Sequence, residues 1–244
     1  ELMARRWGIR REAQDELALA SHQRAAAAYD AGFFDDLVFE FNGVQRDDNL
    51  RRDTSLDKLA RLKPAFPVDG SATLTAGNST PMTDGAAAVL LASEDWARAR
   101  GLPVQAYLTF GKVAAVDFLK DEGLLMAPAY AVPRMLDDAG ITLQDFDFYE
   151  IHEAFAAQVL CTLAAWESAE FCRDRLGRER PLGSIDRSKL NVNGSSLAVG
   201  HPFAATGARI VATLAKLIDQ RGGGRGLISI CTAGGMGVTA IVER

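Results

Sequence analysis

The segment 206–242 limits the fold more than any other part of the chain. Residues 206–220 carry apolar side chains at helical spacing, and Gly222-Gly223-Gly224 marks a turn. Two apolar β-prone runs follow, 227–231 and 238–242, joined by a Gly-rich connection. The same alternation continues upstream. Helices are predicted over 12–31, stopped near Gly32, and over 56–62, ended by Pro64 and Pro67. Further helices are predicted over 94–100, over 128–140 with Pro128 in the first turn, and from Glu153 to about Ser168. Strands are predicted over 104–113 and 146–151, and the apolar run 85–91 suits a buried strand. The stretch 171–190 is charged and punctuated by Gly and Pro, which reads as an exposed insertion. Strands alternating with helices imply a layered α/β fold that closes with a hairpin-like strand pair.

Composition narrows the function classes. With a formal net charge of −5 there is no basic excess for nucleic acid and no cationic stripe for a membrane surface. The apolar runs are short and interrupted, so no integral membrane association is expected. Three cysteines (Cys161, Cys172 and Cys231) at irregular spacing do not form a disulfide framework, and a reducing cytoplasm is the default compartment. The chain opens Glu1-Leu2-Met3-Ala4 and runs straight into helix-like sequence, so a preceding segment is expected.

Three small-residue loops carry reactive side chains at predicted strand ends or helix starts, where α/β folds collect ligands. In Gly200-His201-Pro202-Phe203-Ala204-Ala205-Thr206, Gly200 turns the backbone, Pro202 suits a helix start, and free N–H groups at that start can support an oxyanion. His201 is either a loop cap or an acid–base group. Cys231 precedes a glycine run whose exposed N–H groups favour negative charge; the alternative is a small buried hydrophobe. His152 stands at the end of a strand, either as a polar cap or as a site residue. It is not part of a zinc motif, because the position four residues on is Ala156. Cys161 reads as packing, Cys172 as part of the charged insertion, and His22 as a solvated surface residue.

Together these segments resemble the thiolase family. His152-Glu153-Ala154-Phe155, Gly200-His201-Pro202 and Cys231-Thr232-Ala233-Gly234-Gly235-Met236-Gly237 match its C-terminal signatures in order. Gly77-Asn78-Ser79-Thr80 followed by Asp84-Gly85-Ala86 matches a fourth. The resemblance covers essentially the whole chain. It is nearest to the 3-ketoacyl-CoA thiolase β-subunits of the trifunctional-type fatty-acid β-oxidation complex, on His152, on Phe203-Ala204-Ala205, on Ala233, and on the stretch 171–190.

The resemblance implies two layered βαβαβ halves with a loop domain inserted in the first. Residues 1–83 would be the later part of the loop domain, 84–103 the end of the first half, and 104–244 the second half. It implies two-step acyl transfer through an acyl-cysteine. The family's nucleophilic cysteine would lie upstream of residue 1, so this chain alone should be inactive. His201 would activate that nucleophile, and Cys231 would protonate the departing acetyl-CoA carbanion and later serve as base for CoA. His201, a water held by His152, and the backbone N–H of Ala233 would stabilise oxyanions. Thr80, Ala65, Phe66 and Phe155 would line the pantetheine channel. Arg51 would pack on the adenine, or be a solvated surface charge. Coenzyme A enters as substrate, and no separate cofactor or metal is implied. The implied partners are CoA thioesters, further copies in a dimer or tetramer, and the hydratase/dehydrogenase subunit of a β-oxidation complex. Two rivals share the fold: a ketoacyl synthase, against which Cys231 argues, and a non-catalytic lipid carrier or scaffold, which would not need both His201 and Cys231.

Overall fold

The computed structural model describes residues 1–66 and 71–244. Pro67, named above as a helix stop, lies outside them. The helices are α1 (Leu2–Arg6), α2 (Arg11–Asp30), α3 (Leu56–Ala60), α4 (Glu94–Arg98), α5 (Pro128–Ala139), α6 (Ala156–Glu167), α7 (Ala169–Leu176), α8 (Ser196–Val199) and α9 (Thr206–Arg221). The strands are β1 (Tyr107–Ala115), β2 (Phe148–Ile151), β3 (Arg225–Thr232) and β4 (Met236–Glu243). Among the described residues they form one sheet in the order β1-β4-β3-β2. β2 runs parallel to β3, while β4 is antiparallel to both β3 and β1.

Helices cover both faces. On one, Ile210, Leu214 and Ile218 of α9, spaced four residues apart, are fully buried against Ile228, Ala240 and Val242. Burying each aliphatic side chain contributes roughly 1.5–3 kcal/mol. On the other face Val132, Met135 and Leu136 of α5 and Val159, Leu163 and Trp166 of α6 pack on Tyr149, Ile151, Leu227 and Ile241. α5 and α9 both stop at glycines in the left-handed region, Gly140 (φ 67°) and Gly222 (φ 83°), which side-chain-bearing residues rarely adopt. The result is the layered α/β arrangement with a closing hairpin.

Three expectations are corrected. The run 85–91 is not a strand: it is irregular, and Leu90 and Leu91 are 71% and 66% exposed. Its pattern is that of a buried strand, but no described strand lies beside it to pair with. The stretch 171–190 is not simply an exposed insertion. Cys172 is fully buried, Ile185 and Leu190 enter the main core, and Leu190 bridges to Tyr149 at the edge of β2. His22 is not a solvated residue either. It is 6% exposed, and its Nδ1 accepts the Arg51 backbone N–H at 3.1 Å.

Candidate active site

β2 ends at Ile151, and the chain turns through 152–155 before α6 begins. The His152 N–H donates to the Ser229 carbonyl at 2.9 Å, continuing the parallel pairing of β2 with β3. Cys231 lies two residues further along β3, so the His152 turn and Cys231 occupy the same end of the sheet. Ile228 and Ile230 face α9. By strand alternation Ser229 and Cys231 face the α5 side. Gly237, the cross-strand partner of Cys231, lies so close to α5 that an added Cβ would stand 2.7 Å from Pro128.

The segment 78–85 folds over this end. The Asn78 carbonyl accepts the Ala156 N–H, the Thr80 N–H donates to the Ala154 carbonyl, and the His201 N–H donates to the Pro81 carbonyl at 3.0 Å. The Thr80 hydroxyl donates to the Ser196 carbonyl at 2.6 Å. Gly200 (φ 89°) is required here, because a Cβ would sit 2.6 Å from Thr83. These contacts bring the His152 and His201 rings to a centroid separation of 4.3 Å. His152 Nδ1 lies 2.9 Å from Ser196 Oγ, and His201 Nδ1 lies 2.7 Å from Thr206 Oγ1. Ala204 has φ 66°, a left-handed conformation that is costly for a residue with a Cβ.

Glu153 anchors the turn from beneath. It is buried, and it accepts from Ser21 Oγ (2.7 Å), Asn191 Nδ2 (2.7 Å) and the Leu197 N–H (3.1 Å). Asn191 also pairs with the Ile151 backbone at 2.9 Å on both its N–H and its carbonyl. Glu153 therefore ties α2, α8 and the 191 loop to the residue next to His152.

The titration of the site follows from its surroundings. Burial, His201 and the Arg209 charge push His152 down to about 3. Burial and then Arg209 lower His201. Both imidazoles are therefore neutral near pH 7. Cys231 is 8% exposed, and burial pushes its thiol up to about 12. The buried thiol holds its proton, which suits an acid. Burial likewise pushes Glu150, 1% exposed, up to about 8, partly offset by Arg209.

The sequence-predicted residues divide into groups. His152, His201 and Thr80 converge. Cys231 sits at the same sheet end, and Ala233 lies exposed in the turn just after it. Phe66 stacks edge-on against Phe155 at 5.8 Å, which places both near the start of α6. Ala65 is exposed beside them, its N–H bonded to the Leu74 carbonyl. Arg51 is exposed near His22. An open cleft of about 410 Å3, bordered by residues 82–85 and 201–203, meets His201. Thr80, Ala65, Phe66 and Phe155 are not on its border. Ser196, Arg209 and Glu150 give no signal in the sequence; they are ordinary polar residues until the fold sets Ser196 and Arg209 by His152 and Glu150 within reach of the Arg209 charge. Among the described residues no His, Cys, Asp and Glu cluster is placed to hold a metal, and no helix is long and apolar enough to cross a membrane.

Residues 102–244 match the family model described as thiolase, C-terminal domain, and residues 1–95 match thiolase, N-terminal domain. A 3-ketoacyl-CoA thiolase of Yersinia pestis is 47% identical over all of this chain and 56% of its own length. The crystal structure of the Bacillus anthracis acetyl-CoA acetyltransferase superposes with a TM-score of 0.81 at 37% identity, covering 99% of this chain and 58% of that one. Human mitochondrial 3-ketoacyl-CoA thiolase in complex with CoA gives 0.80 at 33% identity, covering 99% and 56%. The chain thus spans a little over half the length of these relatives.

Proposed function

The chain belongs to the thiolase family, and on that premise we propose that the protein carrying it is an acyl-CoA:acetyl-CoA C-acyltransferase that cleaves 3-ketoacyl-CoA with coenzyme A. The observation that carries this reading is the pairing of two neutral histidines 4.3 Å apart with a protonated, buried Cys231 at the same sheet end. In the first step His201 takes the thiol proton of a cysteine from outside these residues, and the resulting thiolate attacks the ketone carbon. The C2–C3 bond then breaks, and Cys231 delivers its proton to C2, releasing acetyl-CoA and leaving an acyl-cysteine. In the second step the thiol of CoA attacks the acyl group, its proton passes to Cys231, and the nucleophilic cysteine is freed. His201, His152 and the Ala233 N–H supply hydrogen bonds to the oxyanions. Phe66, Phe155, Ala65 and Thr80 lie along the approach for pantetheine, with Arg51 towards the adenine.

Residues 1–83 are read as the later part of a loop domain, 84–103 as the end of a first half and 104–244 as a second half. The exposed Leu90 and Leu91 support a 84–103 segment that belongs to a sheet not formed by this chain. A cytoplasmic homo-oligomer acting in fatty-acid β-oxidation, with a hydratase/dehydrogenase partner, is the matching biological setting. The test is a coupled assay on the full-length protein that carries these residues. Consumption of 3-ketoacyl-CoA that requires added CoA and yields acetyl-CoA agrees with the reading. CoA-independent turnover, or none across a series of acyl chain lengths, rejects it.

A further inference from the structure

The Nδ1 atoms of both site histidines are engaged by hydroxyls, and the two hydroxyls are not in equivalent surroundings. Ser196 Oγ is 3.0 Å from Arg209 Nη2, which also approaches Ser195 Oγ at 3.4 Å. A guanidinium only donates, so Ser196 Oγ must accept from it. The proton of Ser196 then has His152 Nδ1, at 2.9 Å, as its acceptor. A lone pair is thereby demanded at His152 Nδ1, and the ring proton moves to Nε2. That Nε2 is buried and has no partner among the described residues.

Thr206 works in the opposite sense. Its Oγ1 donates to the Pro202 carbonyl at 3.3 Å, back across the first turn of α9. With its proton so used, Thr206 Oγ1 accepts from His201 Nδ1–H at 2.7 Å. His201 is left with a lone pair at Nε2. Burial lowers the pKa of the Arg209 guanidinium, and the carboxyl groups of Glu150, Glu153 and Asp47 offset part of that.

We propose that Ser196, oriented by Arg209, and Thr206 lock His152 and His201 into opposite tautomers, one presenting an Nε2–H donor and the other an Nε2 acceptor. Ser196, Arg209 and Thr206 are positioning residues. They give two chemically identical side chains, in ring contact, the two different roles that the proposed acyl transfer needs. The catalytic meaning rests on that reading, whereas the tautomers themselves can be measured without it.

The test uses full-length protein labelled with 15N in its histidine rings, with the protonated nitrogen assigned by long-range 1H–15N correlation at pH 7.5. His22, whose Nδ1 accepts the Arg51 N–H, serves as an internal Nε2–H reference within this chain. The expected result is Nε2–H at His152 and Nδ1–H at His201. Ser196→Ala should erase the preference at His152 alone, and Ser196→Thr should restore it. Thr206→Val should do the same at His201, with rescue by Thr206→Ser. Under the proposed function, Ser196→Ala lowers kcat about tenfold with KM little changed, a milder loss than the ~10²-fold cost of deleting an oxyanion donor outright. The same tautomer on both rings of the unmodified protein, or the reverse assignment, overturns the proposal whatever the activity. The expected tautomers in a protein that does not cleave 3-ketoacyl-CoA would leave the lock intact and reject the functional reading instead.

Discussion

His201 and Cys231 reach the same end of the sheet by different physical means. The imidazole sits in a loop held by backbone bonds to Pro81, by Thr206 on its Nδ1, and by a neighbouring ring whose own support runs through Ser196 and Glu153. The thiol has no such scaffold. It stands near the end of a strand, turned towards α5, and burial is the main influence on its proton, partly offset by a backbone hydrogen bond. An imidazole has two different nitrogens, so its usefulness depends on direction and tautomer, and a polar network is needed to set both. A thiol that stores a proton needs only a dry, shape-restricted place. Here Gly237, the cross-strand partner of Cys231, lets α5 approach closely, since a Cβ there would stand 2.7 Å from Pro128. The histidine side should therefore be sensitive to distant polar changes, and the cysteine side to changes in packing.

The largest effects should come from the reacting groups. In full-length protein His201→Ala and Cys231→Ala should each reduce the steady-state rate by on the order of a hundredfold or more, the scale of a lost acid–base group. Equal rates in either variant would remove that residue from the mechanism. Next comes Glu153→Ala, which touches neither reacting atom but leaves Ser21, Asn191 and the Leu197 N–H without their shared acceptor. It should cost roughly 3 kcal/mol in urea unfolding, since buried donors left unpaired cost about 1–3 kcal/mol each and partly relax. A change under 0.5 kcal/mol would mean that the network does not support the histidine turn.

Glu150 and His152 make opposite contributions to the pH dependence of stability. The folded pKa of Glu150 is raised from 4.5 to about 8, so the folded state binds the extra proton and stability is lost as pH rises from 4.5 through 8. The folded pKa of His152 is lowered from 6.5 to about 3, so its contribution is complete above pH 6.5 and is lost as pH falls towards 3. Glu150→Gln should flatten the alkaline decline between pH 6.5 and 8, and denaturant midpoints across that range will show it. A slope matching the unmodified protein would place the Glu150 proton elsewhere. The smallest effect is at Ala204, where glycine relieves a left-handed backbone. Ala204→Gly should raise stability by up to about 1 kcal/mol, offset by the greater freedom of the unfolded chain. Destabilisation beyond 1 kcal/mol would show that the methyl group packs usefully in the His201 loop.

Regular elements were legible in the sequence where periodicity and a packing partner coincide. The apolar spacing of α9, the proline at the start of α5 and the Gly-punctuated hairpin all stand where their patterns put them. The run 85–91 has an equally clear strand pattern and yet is irregular, because a strand needs a neighbour and pattern alone does not supply one. His22 and Cys172 look like surface residues locally, but packing buries both: the distant 51 loop over His22, and the end of the preceding helix α6 beneath Cys172. The site was legible as three short loops, because Gly, His, Pro and Cys in those combinations are chemically unusual. Its supporting shell was not. Ser196, Arg209 and Glu150 acquire meaning only through distances that no local pattern encodes.

Proton transfer between Cys231 and the substrate carbon can be read out by deuterium exchange. Acetyl-CoA is incubated in D2O with full-length protein, and uptake of deuterium at its methyl carbon is followed by mass spectrometry. Exchange catalysed by the unmodified protein is expected, with a loss of about a hundredfold or more in Cys231→Ala. Undiminished exchange in Cys231→Ala would contradict it.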